Sequence, residues 1–205
     1  MTAASTTTAA LTGGVALLER AMAYTLGGLA LVTADAMTAP SPCREWDLRG
    51  LLLHMNASLQ AVHEAIALGH LRLDEADYPG PDPDADFGDP TTDPVASLRA
   101  RGCAMIGGWA NAQAPGDIFI ADRVLTPGIV AATGAVEVAV HGWDVARACG
   151  QDRPIPAELA DELLELCTLV VTDGDRPTRF ATPLDLPGGA GPSERLLCFL
   201  GRHPG

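Results

Sequence analysis

The sequence predicts an all-α protein, a four-helix bundle followed by additional short helices. Apolar residues recur at intervals of three and four over several long segments, which is the period of one helix face. Segments rich in proline and glycine separate these stretches, and strand patterns are too few for a sheet-based domain. Four long helices with substantial loops favour a bundle, and bundles place their sites between facing helices.

The first two helices are predicted from periodicity and capping. Residues 1–10 are rich in Ala and Thr without a period, so we expect a flexible amino terminus. The first helix is predicted over 11–36, although the pair Gly27-Gly28 weakens it or allows a neighbour to pack closely. Asp47 is a suitable N-cap for a second helix over 48–69.

Proline and glycine punctuate the remaining elements. The third helix opens at Asp93-Pro94 and runs to Pro115-Gly116, and the fourth opens at Thr126-Pro127 and ends at Gly150, although its valines also suit a strand. A fifth helix over 156–171 and a short one from Ser193 complete the chain. Three parts are predicted: the flexible terminus 1–10, a metal-binding four-helix bundle 11–151, and a helical extension 152–205 packed on the bundle.

Composition excludes several classes of function. The 205 residues include 26 acidic and 13 basic side chains, giving a formal net charge of −13 and a pI near 4.5. Such a surface repels a phosphate backbone, so nucleic acid is not expected as a partner. Every basic residue is Arg, which excludes Schiff-base and P-loop chemistry because both need a Lys amine.

The cysteines and the apolar segments predict a cytoplasmic protein without a membrane span. The five cysteines are widely spaced and form no C-x-x-C pair, so we expect reduced thiols. The apolar stretch 21–34 follows Arg20 and precedes the small-x-small triplet 34–36, as in a signal peptide, but it is too short to cross a bilayer. Glu19 and the weakly charged, Thr-rich start disfavour a cleaved signal.

Three residues are predicted to bind a metal ion. Glu137 and His141 are spaced i,i+4, so they share one helix face and can chelate a single ion. Glu137 stands in an apolar segment, where an unpaired carboxylate would be costly, and His54 is likewise embedded in an apolar helical run. Two imidazoles and one carboxylate with open positions are typical of catalytic zinc, and Fe(II), Ni or Mn suit the same ligands.

Two further residues are candidate catalytic groups. Asp144 can orient a ligand histidine or act as a base, with a hydrogen bond to Arg147 as the alternative. Arg147 and Arg44 are candidate anchors for an anionic substrate, since Arg binds carboxylate with two parallel bonds. A surface role is the alternative for both arginines. Cys43 beside Arg44 is a weaker hypothesis for a nucleophile, because no His or Asn partner is identifiable from the sequence.

The remaining histidines and the tryptophans receive mainly structural interpretations. His63, His70 and His203 are assigned no function. The three tryptophans are interpreted as packing residues, with Trp143 beside His141 as a candidate wall of the pocket.

Three stretches of the chain carry a family resemblance. Residues 42–54 contain the pattern W-D-x-x-x-L-x-x-H, residues 136–151 contain H-G-W-D-x-A-R-A, and residues 193–204 form the third stretch. Together they resemble the metal-binding DinB-like proteins of actinobacteria, which are related to the amino-terminal domain of mycothiol-dependent maleylpyruvate isomerase. The resemblance implies a bundle whose metal ligands fall on His54, Glu137 and His141.

The resemblance also implies a function. Relatives include isomerases and S-transferases that depend on a thiol cofactor, so the first hypothesis is a divalent-metal enzyme that uses a mycothiol-like thiol on a small electrophilic substrate. Thiol-independent metal chemistry in a biosynthetic pathway and a non-enzymatic metal- or ligand-binding protein are the alternatives. A small-molecule substrate is the expected partner, and the sequence leaves open whether the chain forms a homodimer.

Overall fold

The computed structural model is mostly helical and confirms the predicted all-α class. It describes residues 2–43, 46–71, 88–109, 117–120, 123–176, 179–186 and 188–204. The elements in chain order are α1 (Thr2–Gly28), α2 (Leu48–Leu68), β1 (His70–Leu71), α3 (Pro94–Trp109), β2 (Ile118–Ile120), β3 (Arg123–Leu125), α4 (Pro127–Ala148), α5 (Ala157–Val170) and α6 (Pro192–Phe199).

The first and fourth helices run parallel in close contact. A Cβ on Gly14, at the middle of α1, would clash with the Gly128 backbone at the start of α4, and a Cβ on Gly142 would clash with Thr25 near the ends of both helices. The Thr25 hydroxyl donates a hydrogen bond of 2.8 Å to the Val138 carbonyl oxygen. Close approach of the two backbones therefore sets the position of α4 in the core.

The second helix packs antiparallel to α4, and its start is well defined. The Asp47 side chain accepts a hydrogen bond of 2.8 Å from the Gly50 amide, as its predicted N-cap role requires. His54, early in α2, lies against His141, late in α4, whereas Val62 further along α2 lies against Gly134. The polar end of the α2–α4 interface, which contains His54 and His141, therefore lies near the start of α2 and the end of α4.

The first helix differs from its predicted bounds at both ends. It begins at Thr2 rather than at residue 11, and it ends at Gly28, after which short 3-10 turns cover Leu29–Leu31 and Ala34–Thr38. Arg153 lies directly over the glycine pair, where a Cβ on Gly27 would come within 2.7 Å of the guanidinium. The two glycines therefore serve close packing at the end of the helix.

A small sheet was missed by the sequence analysis. Strand β2 pairs parallel with β1 and antiparallel with β3, and Phe119 stands opposite Val124. These strands have two or three residues each, which is too short for a period-two pattern to be recognised. Beneath them lies a separate apolar cluster of Ala65, Ile118 and Val130.

The last two helices pack against the bundle. Leu159 and Leu163 of α5 and Leu196 and Leu197 of α6 are buried in the same apolar core as α1, α2 and α4. The division of the chain into three parts stays a prediction. Helix α4 is long and apolar enough to cross a membrane, but 83% of its most apolar stretch is buried within the fold, as in the core helix of a bundle.

Candidate metal centre

The three predicted ligands lie together between α2 and α4. The Nε2 atom of His54 is 2.7 Å from Oε1 of Glu137, and Nε2 of His141 is 3.3 Å from the same oxygen. All three ligand atoms lie within 4.8 Å of one another. The side chains of His54 and Glu137 are 32% and 34% exposed, whereas His141 is buried. The cluster is therefore partly accessible to solvent through His54 and Glu137.

This donor set fits a divalent ion. Ligand atoms that bind zinc at about 2.0–2.2 Å in a tetrahedral site lie roughly 3.3 Å apart. Nε2 of His141 and Oε1 of Glu137 are separated by this distance. Nε2 of His54 is closer to the same oxygen, at the distance of a short hydrogen bond. Two imidazole nitrogens and a carboxylate oxygen that converge at an accessible point are the ligand types of catalytic zinc.

Asp144 holds His141 from the opposite side of its ring. Its Oδ2 atom is 2.8 Å from Nδ1 of His141, which leaves Nε2 of that ring facing Glu137. Metal-binding histidines commonly donate their second nitrogen to a carboxylate, because this contact fixes the tautomer and the ring orientation. The contact between Asp144 and His141 is the one expected of a residue that orients a metal-binding histidine.

Arg202 compensates the buried charge of Asp144 and was missed by the sequence analysis. Its Nε atom is 3.0 Å from both carboxylate oxygens of Asp144, and a terminal nitrogen is 2.9 Å from Oδ2. The alternative partner considered for Asp144, Arg147, instead lies 5.7 Å from the centre of the Trp143 ring. No local spacing signals the contact to Arg202, since 58 residues separate it from Asp144.

The charges of these groups shift their pKa values in a consistent pattern. Burial would raise the pKa of Glu137, but hydrogen bonds with His141 and His54 hold it well below the ordinary value. Burial would lower the pKa of His141, but contacts with Asp144, Cys43 and Glu137 raise this pKa well above the ordinary value for histidine. Asp144 is likewise kept ionised against its burial by His141 and Arg202. Carboxylates thus flank the His141 imidazole and favour its protonated form.

Two further side chains complete the cluster. The Ser58 hydroxyl, one turn beyond His54 on α2, donates a hydrogen bond of 2.9 Å to Oε1 of Glu137. The Trp46 ring stacks on His54 with centroids 4.3 Å apart, and it approaches His141 edge-on at 6.3 Å. Trp46, rather than the buried Trp143, is therefore the aromatic residue beside the histidines.

Cys43 has a histidine contact that the sequence did not reveal. Its sulfur lies 3.8 Å from Nδ1 of His141 and 3.6 Å from Oδ2 of Asp144. Cys43 and Asp144 therefore both contact Nδ1 of His141. In a catalytic triad the nucleophile and the orienting residue contact different nitrogens of the histidine, so this arrangement is not a triad. Arg44, the second proposed anchor, lies outside the described residues, and Arg147 stays a prediction as a catalytic residue.

The fold and this cluster define the class: DinB-like helical proteins with a candidate metal site inside the bundle. Residues 18–146 match the family described as the mycothiol maleylpyruvate isomerase N-terminal domain, and the chain belongs to that family. The resemblance seen in the sequence is thereby confirmed. The matched residues include His54, Glu137, His141 and Asp144, whereas Arg202 lies beyond them.

Two curated proteins are similar to this chain over most of its length. They are Uncharacterized protein MT0763 of Mycobacterium tuberculosis strain CDC 1551 and Uncharacterized protein Rv0738 of strain H37Rv. Each is 28% identical over 183 residues, which cover 85% of this chain and 89% of the relative. No solved structure matches the chain.

Proposed function

We propose that the protein is a cytoplasmic, divalent-metal-dependent enzyme that uses a small thiol cofactor for S-transfer or isomerisation of a small electrophilic substrate. The observation that carries this proposal is the convergence of His54 and His141 on one oxygen of Glu137 at a partly exposed point. The description of the family, which names mycothiol, supports the thiol part of the proposal.

The residues of the chain have distinct roles in this proposal. His54, Glu137 and His141 bind the ion, and zinc is the metal that this ligand set favours. A bound divalent ion supplies positive charge that lowers the pKa of a thiol and so favours its nucleophilic form. Asp144 fixes the ring of His141, and Ser58 fixes the carboxylate of Glu137, so the ligands are oriented before they bind.

The surroundings of the cluster suit a small electrophile rather than a charged polymer. Trp46 offers an apolar face beside His54, next to the partly exposed Glu137. The net charge of −13 disfavours nucleic acid as a substrate. A small-molecule substrate is therefore proposed, and a homodimer stays a prediction.

Metal analysis of untagged protein tests the first half of the proposal. We expect about one zinc ion per chain in the wild type and loss of the ion in His54→Ala and Glu137→Ala, because each variant removes one of three ligands. His63→Ala is the matched control, since His63 stands on the same helix as His54 but outside the cluster. Full metal content in both ligand variants would overturn the site.

Thermal melting of the zinc-loaded protein with mycothiol tests the second half. Mycothiol should raise the Tm, because a ligand that binds only the native state stabilises it. S-methyl mycothiol, which lacks an ionisable thiol, should leave the Tm unchanged. Zinc binding without any effect of mycothiol would instead support thiol-independent metal chemistry.

A further inference from the structure

An apolar crevice runs along the α2–α4 interface from the candidate metal centre. One end carries Ser58 and Glu137, whose side chains are joined by a hydrogen bond of 2.9 Å. These two are the only polar side chains among the described residues that line the crevice. The other lining residues are Met55, Leu59, Val62, Gly134 and Val138. The crevice contains about 210 Å³ of empty space, part of which is open to solvent.

The length of the crevice follows from the antiparallel packing of α2 and α4. Ser58 and Val62 are one turn apart on α2, and Gly134 and Glu137 are one turn apart on α4. Ser58 meets Glu137 at one end, and Val62 lies against Gly134 at the other. The crevice therefore extends for one helical turn, roughly 5 Å, from a metal ligand into apolar surroundings.

The walls of the crevice exist before any group enters it. Met55, Leu59 and Val138 are buried, and Met55 has a flexible side chain that can adapt to a bound group. The missing side chain of Gly134 keeps the α4 wall open. A Cβ at this position would come within 3.3 and 3.4 Å of the two methyl groups of Val62. Gly134 and Val62 therefore determine the width of the far end.

We propose that this crevice binds a short, uncharged aliphatic chain of the electrophilic substrate, whose polar reactive end meets the ion held by His54, Glu137 and His141. The inference rests on the proposed function and narrows its substrate class. A charged or polar chain would lose its hydration in the crevice, and no described side chain beyond Ser58 and Glu137 offers it a partner there. Each methylene group that is buried instead strengthens binding about fourfold.

A second crevice of similar size provides an internal comparison. It lies between α1 and α3, contains about 220 Å³ of empty space and is lined by residues that include Val15, Glu19 and Met105. It has a carboxylate, but none of its lining residues belongs to a candidate ligand group. A chain whose polar end is fixed at the metal centre should therefore enter the α2–α4 crevice and not this one.

Binding of straight-chain hydroxamates to the zinc-loaded protein tests the inference. A hydroxamate chelates zinc through its two oxygens, and acetohydroxamate and pentanohydroxamate differ only in their chains. Calorimetry of the wild type should show at least about tenfold tighter binding of pentanohydroxamate, because it brings up to three more methylene groups into the crevice.

Three variants show where the chain binds. Val62→Phe fills the far end of the crevice, so the ratio of the two affinities should fall towards one. Gly134→Ala narrows the crevice from the other wall and should also lower the ratio. Val15→Phe, the matched control in the α1–α3 crevice, should keep the wild-type ratio. A ratio near one in the wild type would overturn the inference, as would a tenfold ratio that both Val62→Phe and Gly134→Ala retain.

A measurement on the metal-free protein keeps the two proposals separate. If the protein fails to bind zinc, the proposed function fails, and the crevice is tested by NMR with isotope-labelled methionine methyl groups. Titration with 1-butanol should shift the Met55 resonance in the wild type and leave it unchanged in Val62→Phe. A Met55 resonance that does not respond in the wild type would show that the crevice takes no aliphatic chain.

Discussion

Arg202 holds Asp144 through three contacts of 2.9 to 3.0 Å, although the two residues belong to different parts of the chain. Asp144 in turn holds Nδ1 of His141 at 2.8 Å. The family match ends at residue 146, so the segment after α6 contributes Arg202 from outside the matched region. The C-terminal part of the chain therefore supports the candidate metal centre and does more than cover the bundle.

Replacement of Arg202 should weaken both the fold and the metal site. In Arg202→Met the Asp144 carboxylate loses a buried cationic partner, so the free energy of unfolding should fall by about 3–5 kcal/mol. Zinc affinity should fall about 10- to 100-fold. Denaturant unfolding and chelator competition measure the two effects.

Arg195→Met is the matched control for this prediction. Arg195 also bonds to an aspartate at 2.7 Å, but its side chain is 39% exposed and that of Asp161 is 49% exposed. Such exposed pairs contribute about 0–1 kcal/mol, so this variant should retain nearly all stability and zinc affinity. Equal effects of the two variants would contradict the role assigned to Arg202.

Patterns along single helices predict the fold and the centre of the candidate site. The period of apolar residues predicted the long helices, and the Asp47 cap marked the start of α2 because both signals depend on neighbours in sequence. Glu137 and His141 were visible for the same reason, since they share a helix face. His54 was predicted because a histidine in an apolar run needs a partner, and the structure places it beside Glu137.

Contacts between distant segments were not visible in the sequence. Arg202 and Cys43 meet the cluster only because the fold brings segments remote in sequence together. Ser58 differs, since it stands one turn beyond His54 on α2 and shares its helix face. The end of α1 at Gly28 depends on the packing of Arg153, which is likewise remote in sequence. The short strands also depend on pairing with one another, and their local patterns are too brief to indicate it.

Metal binding should release a proton from His141. Contacts with Asp144, Cys43 and Glu137 raise the pKa of this imidazole well above its ordinary value in the metal-free protein, so they favour the protonated ring, which must lose its proton to bind an ion. Zinc affinity should therefore increase as the pH rises from 6 towards the raised pKa. Calorimetry in buffers of different ionisation enthalpy should show at least about one proton released per ion.

An affinity that stays constant between pH 6 and pH 8 would contradict this interpretation. The wild-type measurements should be made at the same ionic strength at every pH, because salt screens the exposed acidic surface and would otherwise change the zinc affinity.

The stability of the metal-free protein should have a maximum at mildly acidic pH. The raised pKa of His141 gives stabilisation that is complete below 6.5 and is lost as the pH rises through the raised value. The lowered pKa of Glu137 gives stabilisation that is complete above 4.5 and is lost as the pH falls through the lowered value. Together these two groups should contribute most to the free energy of unfolding between about pH 4.5 and pH 6.5. Denaturant unfolding at a series of pH values, with a chelator present, would measure this contribution.

His141→Gln separates this contribution from the rest of the protein. The variant should lose the decline in stability above pH 6.5 that the imidazole causes, whereas carboxylates elsewhere keep their effect at low pH. The same decline in both proteins would show that His141 is not its source.

Gly142→Ala tests whether the close contact between α1 and α4 positions the metal ligands. The added methyl group would clash with Thr25, whose hydroxyl bonds to the Val138 carbonyl in the same interface. Overpacking of this kind costs about 1–3 kcal/mol, and the shift of α4 would also move His141. We therefore expect lower stability together with weaker zinc binding.

Gly13→Ala is the matched control, because no atom lies within 4 Å of its added methyl group and Ala favours the helix by about 0.5–1 kcal/mol. A Gly142→Ala protein as stable as the Gly13→Ala protein would show that the interface can relax without affecting the site.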